Sequence, residues 1–383
     1  MQNFSVNLLA NAPKSMDSIS PFEFNNIVTG DQFIGREKEV SRLKDLISRH
    51  KSVVIYGPPK IGKRSLVFNA LSQMDLRGEN IAICDIDIFN IRHIDKLLKR
   101  LAKHVTNTLF ETEEEKNRTV STYLKGIPLT MDTRNDLTER QIKTLLNYPQ
   151  AVAQLKKVHL YIYFQQFQDL LLFDKPMKVL SLLETAFSES KQVSCIIVGD
   201  KRNAMDSIFN QMNFFRNLVT EIPLKPVNRK VFAEYICNRF EKSGKKASAK
   251  EACTIYDAVG GDPWYVQHLA EICYLMTKEE LTPEIVNEGI SHLLNIHDYE
   301  LHNTIYDLST HQLQLIRAIL NGERKFSKTE VLEKYHLNSS ANVNRLKEAL
   351  TKKEIVTFVS KNTIEFNDTL LKLWFENYFF NDD

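Results

Sequence analysis

A run of residues suited to binding phosphate lies at positions 57–65, in the order Gly-Pro-Pro-Lys-Ile-Gly-Lys-Arg-Ser. It follows a short apolar segment at 52–56 and precedes a helical pattern of apolar residues. In such a loop the backbone N–H groups and the helix N-terminus surround an anion, and the lysine reaches the β- and γ-phosphates of a nucleotide. The predicted binding residues for ATP or ADP are Gly57, Pro58, Pro59, Lys60, Ile61, Gly62, Lys63, Arg64 and Ser65.

The residue after the loop lysine departs from the usual pattern. A Ser or Thr is expected there because its hydroxyl ligates Mg²⁺, whereas this chain has Arg64 and brings Ser65 one step later. One step along a helix rotates a side chain by about 100°, so Ser65 is not expected to substitute directly. Arg64 either supplies a fixed cation near the phosphates or points to solvent. The sequence therefore gives no support for bound Mg²⁺ and predicts no metal site.

Five short apolar runs, rich in β-branched residues, predict the buried strands that position this loop. They lie at 52–56, 81–86, 160–164, 194–198 and 220–224. Helical patterns separate the first four, and strands alternating with helices predict an α/β fold with a parallel sheet covered on both faces. Residues 228–295 then show only helical periodicity, broken at Gly-Gly-Asp-Pro, residues 260–263.

Residues 308–366 follow the order of a winged-helix domain: helix, helix, short turn, helix and hairpin. The third helix begins after a serine cap at Ser339. Residues 324–353 hold eight basic and three acidic side chains. One interpretation is DNA binding in the major groove through Ser340, Asn342, Asn344, Arg345 and Lys347. The other is a protein partner or docking within the chain, so residues 324–366 are predicted to bind either DNA or a protein.

Several motifs, taken in order, resemble those of the archaeal-type ATPases, the STAND branch of AAA+-like P-loop NTPases that is common in archaea and in Bacteroidetes. The likeness extends from about residue 21 to the C-terminus. Residues 33–37 (FIGRE) resemble the FxGRExE element ahead of the loop, and residues 56–66 resemble its YGPRRxGKTSL loop. Residues 260–267 (GGDPWYVQ) resemble the GGxPxYxQ motif of a helical lid, and the tail up to Trp374 resembles the FxDPLxxxW ending.

The resemblance implies a five-stranded P-loop sheet of order 5-1-4-3-2, a helical lid and a C-terminal winged helix. It implies that Gly35 and Arg36 help to hold the adenine and that Pro263 lies near the base. The expected domains are an N-terminal lead-in at 1–30, a nucleotide-binding domain at 31–226, a lid at 227–298 and a winged helix at 299–383.

The acidic residues that serve hydrolysis in this family are replaced. The family's Walker B strand ends in Asp-Glu-Phe-Gln, and the matching run here is Gln165-Gln166-Phe167-Gln168. Gln165 therefore stands where an Asp orients the metal, and Gln166 stands where a Glu activates water. A neutral amide cannot act as a general base near pH 7 and is a poor ligand for a hard cation.

One carboxylate remains a candidate replacement. Asp200 ends the fourth strand, which the implied sheet order places between the loop strand and the Walker B strand, so Asp200 could act as the catalytic acid or base. Asp85 and Asp87, at the end of the second strand, are expected farther away.

Three functions follow from these features. The main hypothesis is an ATP- or ADP-binding switch with weak or absent hydrolysis. The first alternative is a winged-helix regulator or scaffold that has lost nucleotide chemistry and binds DNA or protein. The second is a slow ATPase rescued by Asp200, so whether the chain is an enzyme stays open at this point.

Composition fits an ordinary globular protein of two to three domains: 383 residues, 43% hydrophobic and 26% charged. A net charge of +2 does not by itself indicate a polyanion partner. No window of 18 apolar residues predicts a membrane span, and no basic segment precedes an apolar one as in a signal peptide. Five widely spaced cysteines indicate reduced thiols. We therefore expect a cytoplasmic protein with no membrane partner.

Overall fold

The computed structural model describes residues 21–130, 137–360 and 362–380. These residues form two compact units. The first contains Arg36–Gly57 and Lys63–Leu224, and the second contains residues 21–35, Pro58–Gly62 and residues 225–380. Most of the predicted lead-in, residues 1–20, lies outside the described residues.

The first unit is a parallel sheet with helices between its strands. Its elements are α1 (Glu37–Ser48), β1 (Ser52–Tyr56), α2 (Lys63–Ser72), β2 (Ile81–Asp87), α3 (Ile94–Leu109), α4 (Glu113–Tyr123), α5 (Glu139–Lys156), β3 (His159–Gln165), α6 (Pro176–Glu189), β4 (Val193–Val198), α7 (Arg202–Asp206) and β5 (Val219–Pro223). Short 3₁₀ and π segments follow β3 and α7, at Phe167–Leu172 and Ser207–Gln211.

The sheet has the order β2-β3-β4-β1-β5, and every neighbouring pair is parallel. The predicted order 5-1-4-3-2 and the α/β class are therefore confirmed. Val53 of β1 pairs with Ile196 of β4, so the strand that leads into the phosphate loop is interior. Every residue of β3 is buried, as expected for a strand covered on both faces.

Helices bury apolar stripes on this sheet. In α3 the buried Leu97, Leu98, Leu101 and Val105 recur at helical spacing and belong to the same core as Ile162 of β3. All five parallel strands end on the same side of the sheet, and the loops that follow β1, β3 and β4 start there.

The second unit is helical and ends in a small hairpin. Its elements are α8 (Arg229–Lys242), α9 (Ala249–Ala258), α10 (Pro263–Met276), α11 (Pro283–Tyr306), α12 (Thr310–Leu320), α13 (Thr329–Lys334), α14 (Ser340–Lys352), β6 (Val356–Phe358), β7 (Ile364–Phe366) and α15 (Thr369–Trp374), with a short 3₁₀ turn at Gly30–Gln32 and a π turn at Phe375–Phe379. The predicted cap is present, since the Ser339 side chain accepts a hydrogen bond from the Asn342 N–H.

Residues 21–30 pack on this second unit. Phe22 is buried beside Tyr235 and Phe240, and the ring of Phe24 stacks on His268 at a centroid distance of 4.1 Å. Helix α11 continues through position 298, where the lid was expected to end. The proposed four-part domain division stays a prediction.

Two global features bear on the environment of the protein. All five cysteines lie in the described ranges as free thiols. Within the described residues, no helix combines the length and apolar character needed to span a membrane.

Candidate nucleotide-binding site

The loop after β1 has the backbone conformation of an anion nest. Lys60 and Gly62 both adopt left-handed conformations, with φ of 63° and 90°. Alternation of left- and right-handed residues turns successive N–H groups toward one side, which forms a concave site for an anion. A side chain at Gly62 would meet no described atom within 4 Å, so glycine is needed there for the backbone angle rather than for space.

Lys63 begins α2 directly after this nest and is buried, with 3% of the residue exposed. Its Nζ donates a hydrogen bond to the Gly57 carbonyl at 3.2 Å and forms an ion pair with Asp200 Oδ1 at 3.2 Å. A buried cation requires such partners, because burying it alone would be costly. Asp200 thus balances the charge of the lysine that was predicted to contact phosphate.

Asp200 is held from its other side by amides. The Gln166 side chain donates to Asp200 Oδ2 at 2.7 Å, and the Gln168 side chain donates to Gln166 Oε1 at 2.7 Å. The Asp200 N–H donates to Gln168 Oε1 at 3.2 Å. Gln166 has φ of 54°, an uncommon conformation for a residue other than glycine. The predicted residues Lys63, Asp200 and Gln166 are therefore brought together in one network.

Gln165 turns away from this network toward the second strand. Its amide donates to both carboxylate oxygens of Asp85, at 2.8 and 2.9 Å. Burial raises the pKa of Asp85, while the Gln165 hydrogen bond and the positive charge of Arg64 act to lower it. Arg64 is exposed but lies within electrostatic reach of this carboxylate. Asp85, which was expected farther from the loop than Asp200, is therefore the hydrogen-bond partner of Gln165.

The residues expected near the adenine occupy constrained backbone positions. Gly35 has φ of 65°, and a Cβ there would lie 2.5 Å from Val227 Cγ1, so only glycine fits. Arg36 is buried, with Nη1 3.4 Å from the Glu39 carboxylate. Pro263 is the first residue of α10. Their contact with a base stays a prediction.

Lys60 has partners that the sequence analysis missed. In the second unit its Nζ donates to the Tyr265 hydroxyl at 2.9 Å and lies 4.2 Å from the Trp264 ring centroid. The Tyr265 hydroxyl donates in turn to Asp368 Oδ2 at 2.9 Å, and the other oxygen of Asp368 caps α15. The available signal was the Trp-Tyr pair that directly follows the Gly-Gly-Asp-Pro motif.

Asp262 caps α10 from a buried position. Its side chain accepts hydrogen bonds from the N–H groups of Trp264 and Tyr265. Burial, and next the nearby negative charge of Asp368, raise the pKa of Asp262 to about 7, while those two hydrogen bonds and Lys60 oppose the rise. This carboxyl group is therefore protonated in the folded chain over a range where it is ionised after unfolding.

We predict that Asp262→Asn stabilises the protein increasingly as pH rises. The pKa of this carboxyl group is about 3.9 in an unfolded chain and about 7 in the folded protein. Its contribution to folding stability is therefore fully present below about pH 4 and is lost as the pH rises to about 7. Asparagine retains the cap but carries no charge. Between pH 5 and pH 8 the unfolding free energy of Asp262→Asn relative to wild type should rise by roughly 2 kcal/mol.

Urea unfolding at the two pH values measures this change, with Glu241→Gln, an exposed carboxyl on α8, as the control. If the difference in unfolding free energy between Asp262→Asn and wild type is the same at pH 5 and pH 8, Asp262 does not have the raised pKa.

The winged-helix surface offers a mixed set of polar side chains. Ser340, Asn344 and Arg345 of α14 are exposed. Asn342 instead donates to the Leu337 carbonyl, and Lys347 Nζ lies 4.9 Å from the Phe326 ring centroid, with its pKa lowered by desolvation. Three more of the eight basic side chains, Arg324, Lys334 and Lys353, also bond to protein groups. Half of the basic residues counted in the sequence are thus already engaged.

Comparisons with known proteins agree with this architecture. Residues 299–377 match a family described as a probable winged helix domain. A search of curated protein sequences finds no match to this chain.

Several solved structures resemble this protein over nearly the whole length of the chain. A Walker-type ATPase of Pyrococcus abyssi is 16% identical, with a TM-score of 0.65, over 92% of this chain and 98% of the other. The ORC2 protein of Aeropyrum pernix, in ADPNP–ADP complexes, is 13% identical with a TM-score of 0.59 over 93% and 96%. Its ADP form gives 15% and 0.55 over 88% and 90%. At these identities the likeness shows the fold alone.

The chain therefore has the α/β fold of P-loop ATPases, with a five-stranded parallel sheet and a C-terminal winged-helix domain at residues 299–377.

Proposed function

We propose that this chain is an ATP- or ADP-binding protein of the STAND type that acts as a nucleotide-dependent switch and hydrolyses ATP weakly or not at all. One contrast carries the proposal. The phosphate loop ends in a buried lysine, Lys63, whereas the positions that would hold the metal and activate water carry a cation and two amides, Arg64, Gln165 and Gln166.

The described residues suit the phosphates of a nucleotide. The left-handed turns at Lys60 and Gly62 aim backbone N–H groups into a nest, and Lys63 follows at the start of α2. Asp200 forms an ion pair with Lys63, so a phosphate that binds Lys63 competes with that carboxylate. When a phosphate of ATP or ADP takes the place of the Asp200 carboxylate, Lys63 stays paired with a negative charge.

The same residues do not suit Mg²⁺. Arg64 brings a positive charge, which repels a second cation, and the Gln165 amide nitrogen points at Asp85 as a donor. No hydrolytic step is therefore assigned to a metal in this chain.

A contact chain within the second unit supplies the switch. Lys60 lies in the phosphate loop, Tyr265 in α10 and Asp368 at the start of α15, and hydrogen bonds of 2.9 Å join each to the next. A phosphate in the loop attracts Lys60, which weakens its bond to Tyr265. Because Asp368 also caps α15, this change reaches the winged-helix segment.

We predict that Tyr265→Phe uncouples the winged helix from the nucleotide. Phenylalanine keeps the ring that packs beneath Lys60 but removes the hydroxyl that bridges Lys60 and Asp368. In wild type, ADP should change amide hydrogen exchange in residues 364–376; in Tyr265→Phe this change should fall by half or more, although ADP still binds. Tyr274→Phe, on the same helix, is the matched control. Equal nucleotide-dependent exchange in Tyr265→Phe and wild type would contradict the coupling.

The two alternatives have weaker support. Both carboxylate oxygens of Asp200 already accept bonds, from Lys63 and Gln166, so a role as a free general base would require that network to break. DNA binding is supported by the exposed Asn344 and Arg345 but weakened by the engaged cations, and it stays a prediction.

A further inference from the structure

A cavity in the first unit is lined by residues other than those of the loop at 57–65. Its volume is about 740 Å³, within the usual range for small-molecule sites. Its walls come from the residues around the start of α3 and of α6, and from Thr130, Leu137 and Ile142 before and at the start of α5. Apolar side chains, among them Ile142 and Phe173, line it together with several charged ones.

The decisive feature is a buried lysine that lines this cavity. Lys99 of α3 is 2% exposed, yet among the described residues none offers it a hydrogen-bond or ion-pair partner. Lysine is almost never fully buried without a partner, because desolvating an unpaired ammonium group is costly. A partner for Lys99 must therefore come from the space that it faces.

Two helix N-termini line the same cavity. Helices α3 and α6 begin after His93 and Lys175, and in the described chain neither residue caps its helix through its side chain. No side chain of these two residues occupies the first N–H groups, and helix N-termini favour negative charge. Because α6 begins with Pro176, which has no N–H, its first donors are the N–H groups of Met177 and Lys178. These helices have 16 and 14 residues, long enough for the terminal charge to matter.

The charge of the lining is positive. Among the described lining residues the basic side chains are Arg92, His93, Lys96, Lys99, Lys175 and Lys178, and the acidic ones are Asp95 and Asp174. Both carboxylates already have partners, since Asp95 accepts from the Leu137 N–H at 3.0 Å and Asp174 lies 2.9 Å from His93 Nδ1. Among the described residues that line the cavity, none therefore balances the positive charge of Lys99.

We propose that this cavity is a second ligand site, which binds a small organic anion: an apolar body that carries one phosphate or carboxylate group. The anionic group contacts Lys99 and the N–H groups at the start of α3 and α6, and the apolar body packs on residues such as Ile142 and Phe173. Because the loop lysine takes no part, this site binds its ligand whether or not nucleotide occupies the loop.

Calorimetric titration of the full chain with 1-naphthyl phosphate, 1-naphthoate and neutral 1-naphthol, in the presence of excess ADP, tests the proposal. The two anions separate a phosphate from a carboxylate preference. We expect saturable binding of at least one anion and at least tenfold weaker binding of naphthol. Since a hydrogen bond to a charged group contributes strongly, Lys99→Met should weaken anion binding roughly 10- to 100-fold.

Two variants control for folding and for general charge. Lys99→Arg keeps the cation and should retain most of the affinity, whereas Lys103→Met removes an exposed lysine from the same helix and should change affinity less than twofold. Methionine fills the buried position without a charge, so the melting temperature of Lys99→Met should not fall. Equal losses in the Lys99→Met and Lys103→Met variants, or no saturable binding to wild type at millimolar probe, would overturn the proposal. The expected loss of anion binding in Lys99→Met does not depend on whether the phosphate loop binds ADP.

Discussion

Lys63→Ala is expected to raise the dissociation constant for nucleotide by about 100-fold or more, so that binding is no longer measurable. The lysine supplies charged hydrogen bonds to phosphate, each contributing about 1.5–3 kcal/mol. The ion pair between Lys63 and Asp200 adds a second cost, because alanine leaves the Asp200 carboxylate facing the phosphates without a counter-charge. Isothermal titration with ADP measures the effect.

The structure supplies a sharp control for this variant. In Lys63→Ala/Asp200→Asn the unpaired carboxylate is removed as well, so part of the lost affinity should return, on the order of tenfold. Lys38→Ala, an exposed lysine on α1, should bind ADP as wild type does. If Lys63→Ala retains wild-type affinity, the loop is not the nucleotide site.

The second large effect is expected from restoring the residues of hydrolysis. Arg64→Thr, Gln165→Asp and Gln166→Glu together should produce Mg²⁺-dependent ATP turnover at least 100-fold above wild type, because a general base typically contributes 10²–10⁴-fold. The hydroxyl and the first carboxylate restore groups that hold the metal between the β- and γ-phosphates. Phosphate release from saturating ATP is the measurement.

The residues that contact Gln165 and Gln166 call for two further substitutions. Gln165 donates to Asp85 and Gln166 donates to Asp200, so the triple variant sets two pairs of carboxylates against each other. Two carboxyl groups in direct contact do not both ionise readily, so one of each pair retains a proton and cannot accept another as a general base. Adding Asp85→Asn and Asp200→Asn exchanges each acid–amide pair without changing the number of carboxylates, and should raise turnover further. Wild-type turnover in both the triple and the five-site variant would show that other parts of the site are also altered.

Much of the fold could be predicted because its signals are local or follow from chain order. Apolar runs gave the five strands within a few residues, and the resemblance supplied their order. The cap at Ser339 could be read from residue type alone. The sequence also identified Lys63 from the phosphate-loop pattern, Gln166 from the resemblance to the Walker B run, and Asp200 from its place at the end of the fourth strand.

The parts of the site that were missed depend on side-chain direction. Strands β2 and β3 are neighbours, with Asp85 opposite Tyr163, so Gln165 lies diagonally across from Asp85 on the same face. The sheet order alone would therefore have allowed this pair, but it could not show that Gln165 turns toward Asp85 rather than toward Asp200. The bond between Lys60 and Tyr265 joins residues 205 positions apart, and no local pattern encodes it.

The central claim is that this chain binds nucleotide without metal chemistry, and one measurement tests it most directly. Unmodified protein is titrated with ATP by calorimetry, once in EDTA and once in Mg²⁺, and phosphate release is followed in the same Mg²⁺ sample. We predict dissociation constants that agree within a few-fold and phosphate release close to the background rate, because Arg64 and the two amides leave the metal without its usual ligands. ATP binding that requires Mg²⁺, together with robust turnover that Asp200→Asn abolishes, would contradict the account and make Asp200 the acting carboxylate.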